Sequence, residues 1–204
     1  MGFKLSEAIS IARGILQDRD DAPYRYSTAD LLQYGNDALD QMVSLRPEIF
    51  HTEGRIQCVE GTMQSVDFND ARALVLVRRI KDGPALLPIV RSVLDLFNPS
   101  WHTDAQGPAE NWMLVENDPV RFLVYPPAPA GQVLEVLYVR NPQTYTADQD
   151  TVIPPIYLDA VADYIVHRAE MRDDEHVVSQ RAAQFYSSFQ TKVMGVPRGS
   201  QMEE

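Results

Sequence analysis

The sequence predicts an α+β protein: an antiparallel helical bundle of about four helices, with a β-rich insertion between helices two and three. Three observations predict it. Near both ends of the chain, apolar residues recur at three- and four-residue steps, the period of a helix with one buried face. Between about Thr52 and Tyr145 the pattern becomes short alternating runs rich in β-branched residues, broken often by Pro and Gly. From Val152 onward the helical period returns. The domain reading that follows gives residues 1–52 and 150–204 to a helical bundle with a C-terminal tail, and 53–149 to the β-rich insertion.

The first helix is carried by Leu5, Ala8, Ile9, Ala12, Ile15 and Leu16, with Ser6 as its N-cap. A charged loop from Asp18 to Pro23 follows. Ser27 then caps a second helix, with Asp30 three residues on in the manner of a capping box. Leu31, Gly35, Ala38, Met42 and Leu45 give it one apolar face, and Pro47 closes it. In the middle region, RIQCVEG (from Arg55) and RALVLVRRI (from Arg72) read as strands. In the second, Val75 and Val77 are expected on one face and Leu74 and Leu76 on the other. Lys81-Asp82-Gly83-Pro84 reads as a turn. Ser92 to Phe97 reads as a single helical turn ended by Asn98-Pro99. NWMLVEN and VRFLVYP are strands around Asn117-Asp118-Pro119. The run from Pro126 to Gly131 is a stiff loop leading into the last strand, VLEVLYVRNP.

The closing hairpin starts at Pro154-Pro155, residues suited to a first helical turn. Leu158, Val161, Ala162, Ile165 and Ala169 make one face. Glu170 to Glu175 is the charged elbow. Val178, Ala182, Phe185, Phe189 and Val193 make the second face, and the two phenylalanines are expected to dominate the seam. Gly195 and Pro197 stop the helix.

Composition excludes several classes of function. The chain has 204 residues, 45% of them hydrophobic, which is enough for a real core. Its one cysteine, Cys58, rules out an internal disulfide and fits a reducing compartment. No N-terminal apolar run suits a signal peptide, and no stretch approaches the ~20 apolar residues that span a bilayer. A net charge of −11 argues against a surface built to grip nucleic acid. His51, His102, His167 and His176 show no metal-ligand spacing, and no cysteine lies close to any of them. GxSxG, GxxxxGK[ST] and GxGxxG are all missing. Asp18, Asp20 and Asp21 lack the glycine and the glutamate of a calcium loop. The residues thus point to no enzyme, no cofactor and no metal. Two other readings of the residues stay open: an enzyme subunit with a site assembled from unaligned positions, and a small intracellular protein-binding module anchored on Trp101 and Trp112.

Four segments together resemble the head-to-tail adaptor (connector) proteins of tailed bacteriophages. YSTADLLQYGNDALDQMVSLRPEIF, Tyr26 to Phe50, resembles the early helix of that family. VRSVLDLFNPSW, Val90 to Trp101, resembles its midchain signature. RFLVYPPAPAGQVLEVLYVRNP, Arg121 to Pro142, resembles its strand–proline–strand. IPPIYLDAVADYIVHRAEMRD followed by AAQFYSSF resembles its closing hairpin. The motifs are structural, and they come in the family's order across nearly the whole chain. The resemblance implies a structural virion protein that forms a homo-oligomeric ring, commonly dodecameric, beneath the portal. The ring joins capsid to tail and extends the DNA channel. The implied partners are the portal protein, the tail proteins of nozzle or tube, and further copies of the chain. Double-stranded DNA passes without specific binding, and no membrane is involved. The implied location is the capsid–tail junction, after assembly in the bacterial host cytoplasm.

The resemblance also directs attention to two sets of residues. A C-terminal segment of related connectors docks on the portal, which makes Val196, Pro197, Arg198 and Met202 the expected contacts here. A ring threaded by a genome gains from a wall that repels it, and two acidic clusters are candidates for that lining. One is the elbow set Asp173, Asp174 and Glu175; the other is the loop set Asp18, Asp20 and Asp21.

Overall fold

The computed structural model describes residues 2–18, 25–172 and 179–195. The chain divides into two compact units, Met1–Ile49 with Pro142–Glu204, and Phe50–Asn141.

The first unit is helical among its described residues. Helix α1 spans Leu5–Leu16, α2 Thr28–Leu45, α4 Leu158–Met171 and α5 Ser179–Gly195. Leu5, Ala8, Ile9 and Ala12 of α1 are buried, as are Leu31, Ala38, Leu39 and Met42 of α2. Helix α4 is buried almost all round, from Ala160 through Val166, because α1, α2 and α5 all pack on it. Gly35 sits at the tightest point: a Cβ there would lie 3.3 Å from Leu5 and 3.6 Å from Ile165. Ser27 caps α2 by accepting from the Asp30 amide at 3.0 Å. Helix α1 uses Lys4 as its N-cap instead of Ser6, whose amide donates to the Ala147 carbonyl at 2.9 Å. That bond belongs to a seam between the two chain ends. Thr151 donates through both its amide and its hydroxyl to the Phe3 carbonyl, at 2.9 and 2.8 Å.

The α4–α5 seam differs from the expected pair of phenylalanines. Phe189 is fully buried between Tyr164 and Tyr186, at ring separations of 5.0 and 6.1 Å. Phe185 is only half-buried and lies under the Arg181 guanidinium. Asp163, 5% exposed, accepts from Ser188 and Lys192 of α5, both at 2.6 Å. Arg46, just past α2, donates to the Val193 carbonyl at 3.0 Å and so satisfies a terminal group of α5.

The second unit holds all seven strands found among the described residues, in two sheets. Strands β1 (His51–Gln57), β7 (Val133–Arg140) and β3 (Ala71–Ile80) form one sheet in the order β1-β7-β3. Strands β2 (Gly61–Ser65), β6 (Asp118–Ala128), β5 (Asn111–Val115) and β4 (Leu87–Pro88) form the other, in the order β2-β6-β5-β4. Ile56, Val77, Leu134, Val136, Phe122 and Val124 belong to the core between them. A fifth helix, α3 (Arg91–Phe97), and the short 3-10 turn Trp101–Thr103 lie with the four-stranded sheet over a second small core of Leu94, Trp101, Met113 and Leu123.

The fold class therefore departs from the expectation of a four-helix bundle with an inserted β-rich segment. The described residues form five helices and two sheets, a mixed α+β arrangement. The physical reason is that the period-two stretches close on themselves. They bury their own aromatic and aliphatic side chains in two cores and carry a helix of their own.

Three local departures have identifiable causes. Leu74 and Val77 are both buried, at 6% and 2%, although strict alternation puts them on opposite faces. The register with β7 shifts between Leu74 and Leu76, and the extra residue resets the alternation. The proline run from Pro126 is partly strand: β6 continues through Ala128, and Pro127 contributes a carbonyl that accepts from the Gly107 amide at 3.0 Å. Strands β2 and β4 were not expected, the first because its five residues carry little apolar signal. It is held by Gln64, 2% exposed, whose amide group exchanges two 2.9 Å bonds with the Val59 backbone.

Two measurements check this packing. Asp163→Ala removes the acceptor for Ser188 and Lys192, and Lys192 is half-exposed and stays hydrated. The loss is expected to be about 2 kcal/mol by urea denaturation, and a change below a few tenths would discount the contact. Burial pushes the Cys58 thiol up to about 11. At pH 8 only about one thiol in a thousand is then the reactive thiolate. The native protein should react with a thiol reagent far more slowly than the same protein in denaturant.

Candidate docking surfaces

The residues singled out from sequence fall mostly outside the described set. Asp20, Asp21, Asp173, Asp174, Glu175, Val196, Pro197, Arg198 and Met202 all lie there. Asp18 is described, and its side chain is engaged within its own unit. It is 8% exposed. Its carboxylate accepts from the Arg13 guanidinium at 2.5 Å, from the Arg25 amide at 2.9 Å and from the Tyr26 amide at 3.4 Å. Arg13 in turn donates to the Tyr26 carbonyl at 3.1 Å and to the Thr28 hydroxyl at 3.0 Å. Asp18 thereby joins the end of α1 to the start of α2.

Trp101 and Trp112, weighed as binding anchors, are core residues at 0% and 7% exposure. The Trp101 indole N–H donates to Asp95 at 2.9 Å, and its ring stacks on His102. His167 is half-buried, with Nδ1 2.9 Å from the Ala182 carbonyl oxygen. No group of three or more His, Cys, Asp or Glu among the described residues is arranged to hold a metal. No described helix is long and apolar enough to cross a membrane.

Charge is organised on the three-stranded sheet. Glu135 of β7 faces Arg55 of β1 and Arg79 of β3 across the ladder, and bonds them at 3.0 and 2.6 Å. The hydrogen bond from Arg79 holds the Glu135 carboxyl below the usual carboxylate range; desolvation opposes it, and a lesser hydrogen bond from Arg55 adds to it. Arg78 pairs with Glu53 at 2.7 Å. These cross-strand pairs are exposed, so they set register more than they add stability.

The apolar surface is concentrated on and beside α3. Val90, Leu96 and Phe97 are exposed to 66%, 75% and 80%. Val93 and, in β4, Leu87 are exposed as well. Of the helix's apolar residues only Leu94 reaches the core. At 100° per residue the helix has three distinct sides. Leu94 faces the sheet. Val93, Leu96 and Phe97 form a ridge on one flank. Arg91, Ser92 and Asp95 fall on the other flank and line a groove of about 630 Å³. Its remaining wall and floor come from Ile89, Val90, Met113, Leu114, Val115, Glu116 and Leu123. Arg91 and Asp95 pair at 3.4 Å along its rim. A shallower depression continues from Leu114 and Val115 to Pro119 at the β5–β6 turn.

Sequence reasoning missed this surface. Val90, Val93 and Phe97 stand at helical spacing, which is the available signal. The same spacing serves a buried face equally well, and sequence does not say which side of a short helix meets the core. Scattered single apolar residues on a surface are ordinary, whereas contiguous ones of this kind are what interaction surfaces use.

Comparison with known proteins agrees with a structural role. No curated protein matches the chain. The family model described as SU10 adaptor protein matches residues 4–202, nearly the full length. That span takes in the helices at both ends, both sheets and the α3 ridge. The chain belongs to the SU10 adaptor protein family, a family of phage head–tail adaptors, and is a structural, virion-associated protein.

Proposed function

We propose that this protein forms a ring beneath the portal, joins the capsid to the tail and extends the DNA channel. The observation that carries the reading is the family match over residues 4–202. The contiguous exposed apolar surface at α3 supports it, because a protein that works by assembly must keep contact surface uncovered until its neighbours arrive. The charge distribution supports a repelling channel. The unit formed by Met1–Ile49 and Pro142–Glu204 holds 18 acidic and 10 basic residues, so most of the net −11 belongs to it. Asp18 is committed to Arg13, which leaves Asp20 and Asp21 of the loop, or Asp173, Asp174 and Glu175 of the elbow, to face a polyanion. Such a wall acts within a Debye length of about 8 Å at physiological salt. The ring itself is tested by electron microscopy of the protein mixed with its portal. Rings capping the portal are expected, and their absence rejects the reading.

Two further tests separate the parts of this proposal. Deleting residues 196–204 should leave the thermal unfolding profile unchanged and abolish attachment to the portal, because Val196, Pro197, Arg198 and Met202 make the contact. Repetition around a ring would make a weak single contact tight. Attachment that survives the deletion removes the tail from the interface. Reversing Asp173, Asp174 and Glu175 to lysine in assembled particles should slow DNA ejection, since each phosphate neutralised adds affinity that must later be broken. Asp20 and Asp21 reversed together form the second arm. Ejection kinetics unaltered in both arms would assign the charge to solubility.

A further inference from the structure

The outer face of the three-stranded sheet carries a surplus of guanidinium. From it we infer a binding site for a single carboxylate: an Asp or Glu side chain of a partner protein segment docks between Arg55 and Arg79, beside Glu135. The site is complete in one copy of the chain, so it stands or falls apart from the ring.

Strands β1, β3 and β7 hold five arginines against two glutamates, on a chain whose net charge is −11. Glu135 gives one carboxylate oxygen to each neighbour: Oε1 lies 3.0 Å from Arg55 Nη2, and Oε2 lies 2.6 Å from Arg79 Nε. Two guanidiniums carry more than twice as many N–H donors as one carboxylate can accept. Glu135 is the one acceptor that Arg55 and Arg79 bond among the described residues, so most of their donors are left to water. Both side chains are open to a partner, at 62% and 52% exposure, while Glu135 at 16% is largely covered. They border a cleft of about 480 Å³, within the roughly 300–1,000 Å³ of small-ligand sites. Its charged lining is Arg55, Arg78 and Arg79 against Glu53 and Glu135, and Arg78 pairs with Glu53 at 2.7 Å. The cleft therefore keeps one net positive charge.

That balance selects the ligand. One carboxylate neutralises it, and the planar guanidinium fork matches a carboxylate in two-point geometry. A nucleic-acid backbone brings a dense row of phosphates, and Glu53 and Glu135 would repel all but the first. Glu135 also holds the two guanidiniums in place beforehand, so less side-chain freedom is lost on binding. Arg91–Asp95 and Arg121–Asp118, in the same unit, are one-to-one pairs with no such surplus. A single contact of this kind is weak, and repetition in an assembly makes it tight.

The test uses the full chain, isotope-labelled, and follows the arginine Nε–H resonances at low salt and mildly acidic pH. The probe is the capped peptide acetyl-Gly-Glu-Gly-amide, which carries one carboxylate; the same peptide with Gln is the control. The Arg55 and Arg79 signals should shift and saturate with a dissociation constant of about 1–10 mM, and the Gln peptide should bind at least about tenfold more weakly. No shift at Arg55 and Arg79, or an equal response to both peptides, overturns the proposal. Equal shifts at Arg91 and Arg121 overturn it too, since they would show general attraction to exposed cations. Glu53→Gln, at a position 68% exposed, removes a competing negative charge and should tighten binding about threefold. Arg55→Gln should weaken it about tenfold. If that variant unfolds early, Arg55→Lys replaces it; the charge stays, the fork is lost, and weakening is again expected. Affinity unchanged by these substitutions leaves the arginines to strand register alone and overturns the site. A short DNA duplex that shifts Arg55 and Arg79 and displaces the peptide at physiological salt gives the face to nucleic acid and overturns it as well. None of these outcomes bears on the ring, which the micrographs of protein with portal decide separately.

Discussion

One topological constraint governs the helical unit: its core is shared by segments from opposite ends of the chain. Helices α1 and α2 come from the first 45 residues, and α4 and α5 begin only at Leu158. The seam that holds them runs between Phe3–Ser6 and Ala147–Thr151, closed by the amide and hydroxyl of Thr151 and by the Ser6 amide. It leaves no slack. A Cβ on Gly2 would sit 1.8 Å from the Thr151 carbonyl oxygen, inside any real contact. Closing a loop of this length costs entropy that grows only as the logarithm of its size. The closure is therefore affordable in stability, and its burden falls on folding rate, because contacts between distant residues must be found before they are rewarded.

The polar contacts of this unit follow the same logic. Asp18, Asp163 and Arg46 are buried charged residues, and each holds two segments that the apolar stripes alone would let slide. Asp18 joins the end of α1 to the start of α2, Asp163 joins α4 to α5, and Arg46 joins α2 to the last turn of α5. Apolar faces are tolerant of register, since one aliphatic side chain replaces another at modest cost. A buried carboxylate tolerates far less, because a missed partner leaves it desolvated and unpaired.

The sequence carried the helices well and the sheets less well, for reasons visible in particular residues. Leu31, Gly35, Ala38 and Met42 mark α2 because a helix repeats its environment every turn and the pattern survives over five turns. Strand β3 defeats the same reasoning, since bulges against β7 move Leu74 and Val77 to one face, and a bulge leaves no mark in composition. Strand β2 has only five residues, among them Gly61, Thr62, Gln64 and Ser65, and it is a strand because β6 lies beside it. The class was misjudged at this level: a stretch rich in Pro and Gly read as an addition to a bundle, whereas its aromatics close two cores of their own. The α3 surface was legible as spacing and illegible as direction. Nothing local distinguishes a Phe97 that faces solvent at 80% exposure from one that faces a core. The role was legible only through order, in four weak motifs running in one family's sequence.

The α3 ridge and the net charge of −11 act on the free subunit over different ranges. Two subunits approaching in solution feel the acidic repulsion first, across a Debye length. The apolar attraction begins only at contact. Encounters between free subunits are thereby slowed, while a contact once made is held by a term that salt does not screen. For the proposed ring, this combination favours growth from a seed over spontaneous nucleation. A surface that fixes the first subunit removes the encounter problem for the second, and the pool of free protein stays dispersed until such a surface exists. In the proposed ring, the timing of assembly would follow from the balance between charge and exposed carbon.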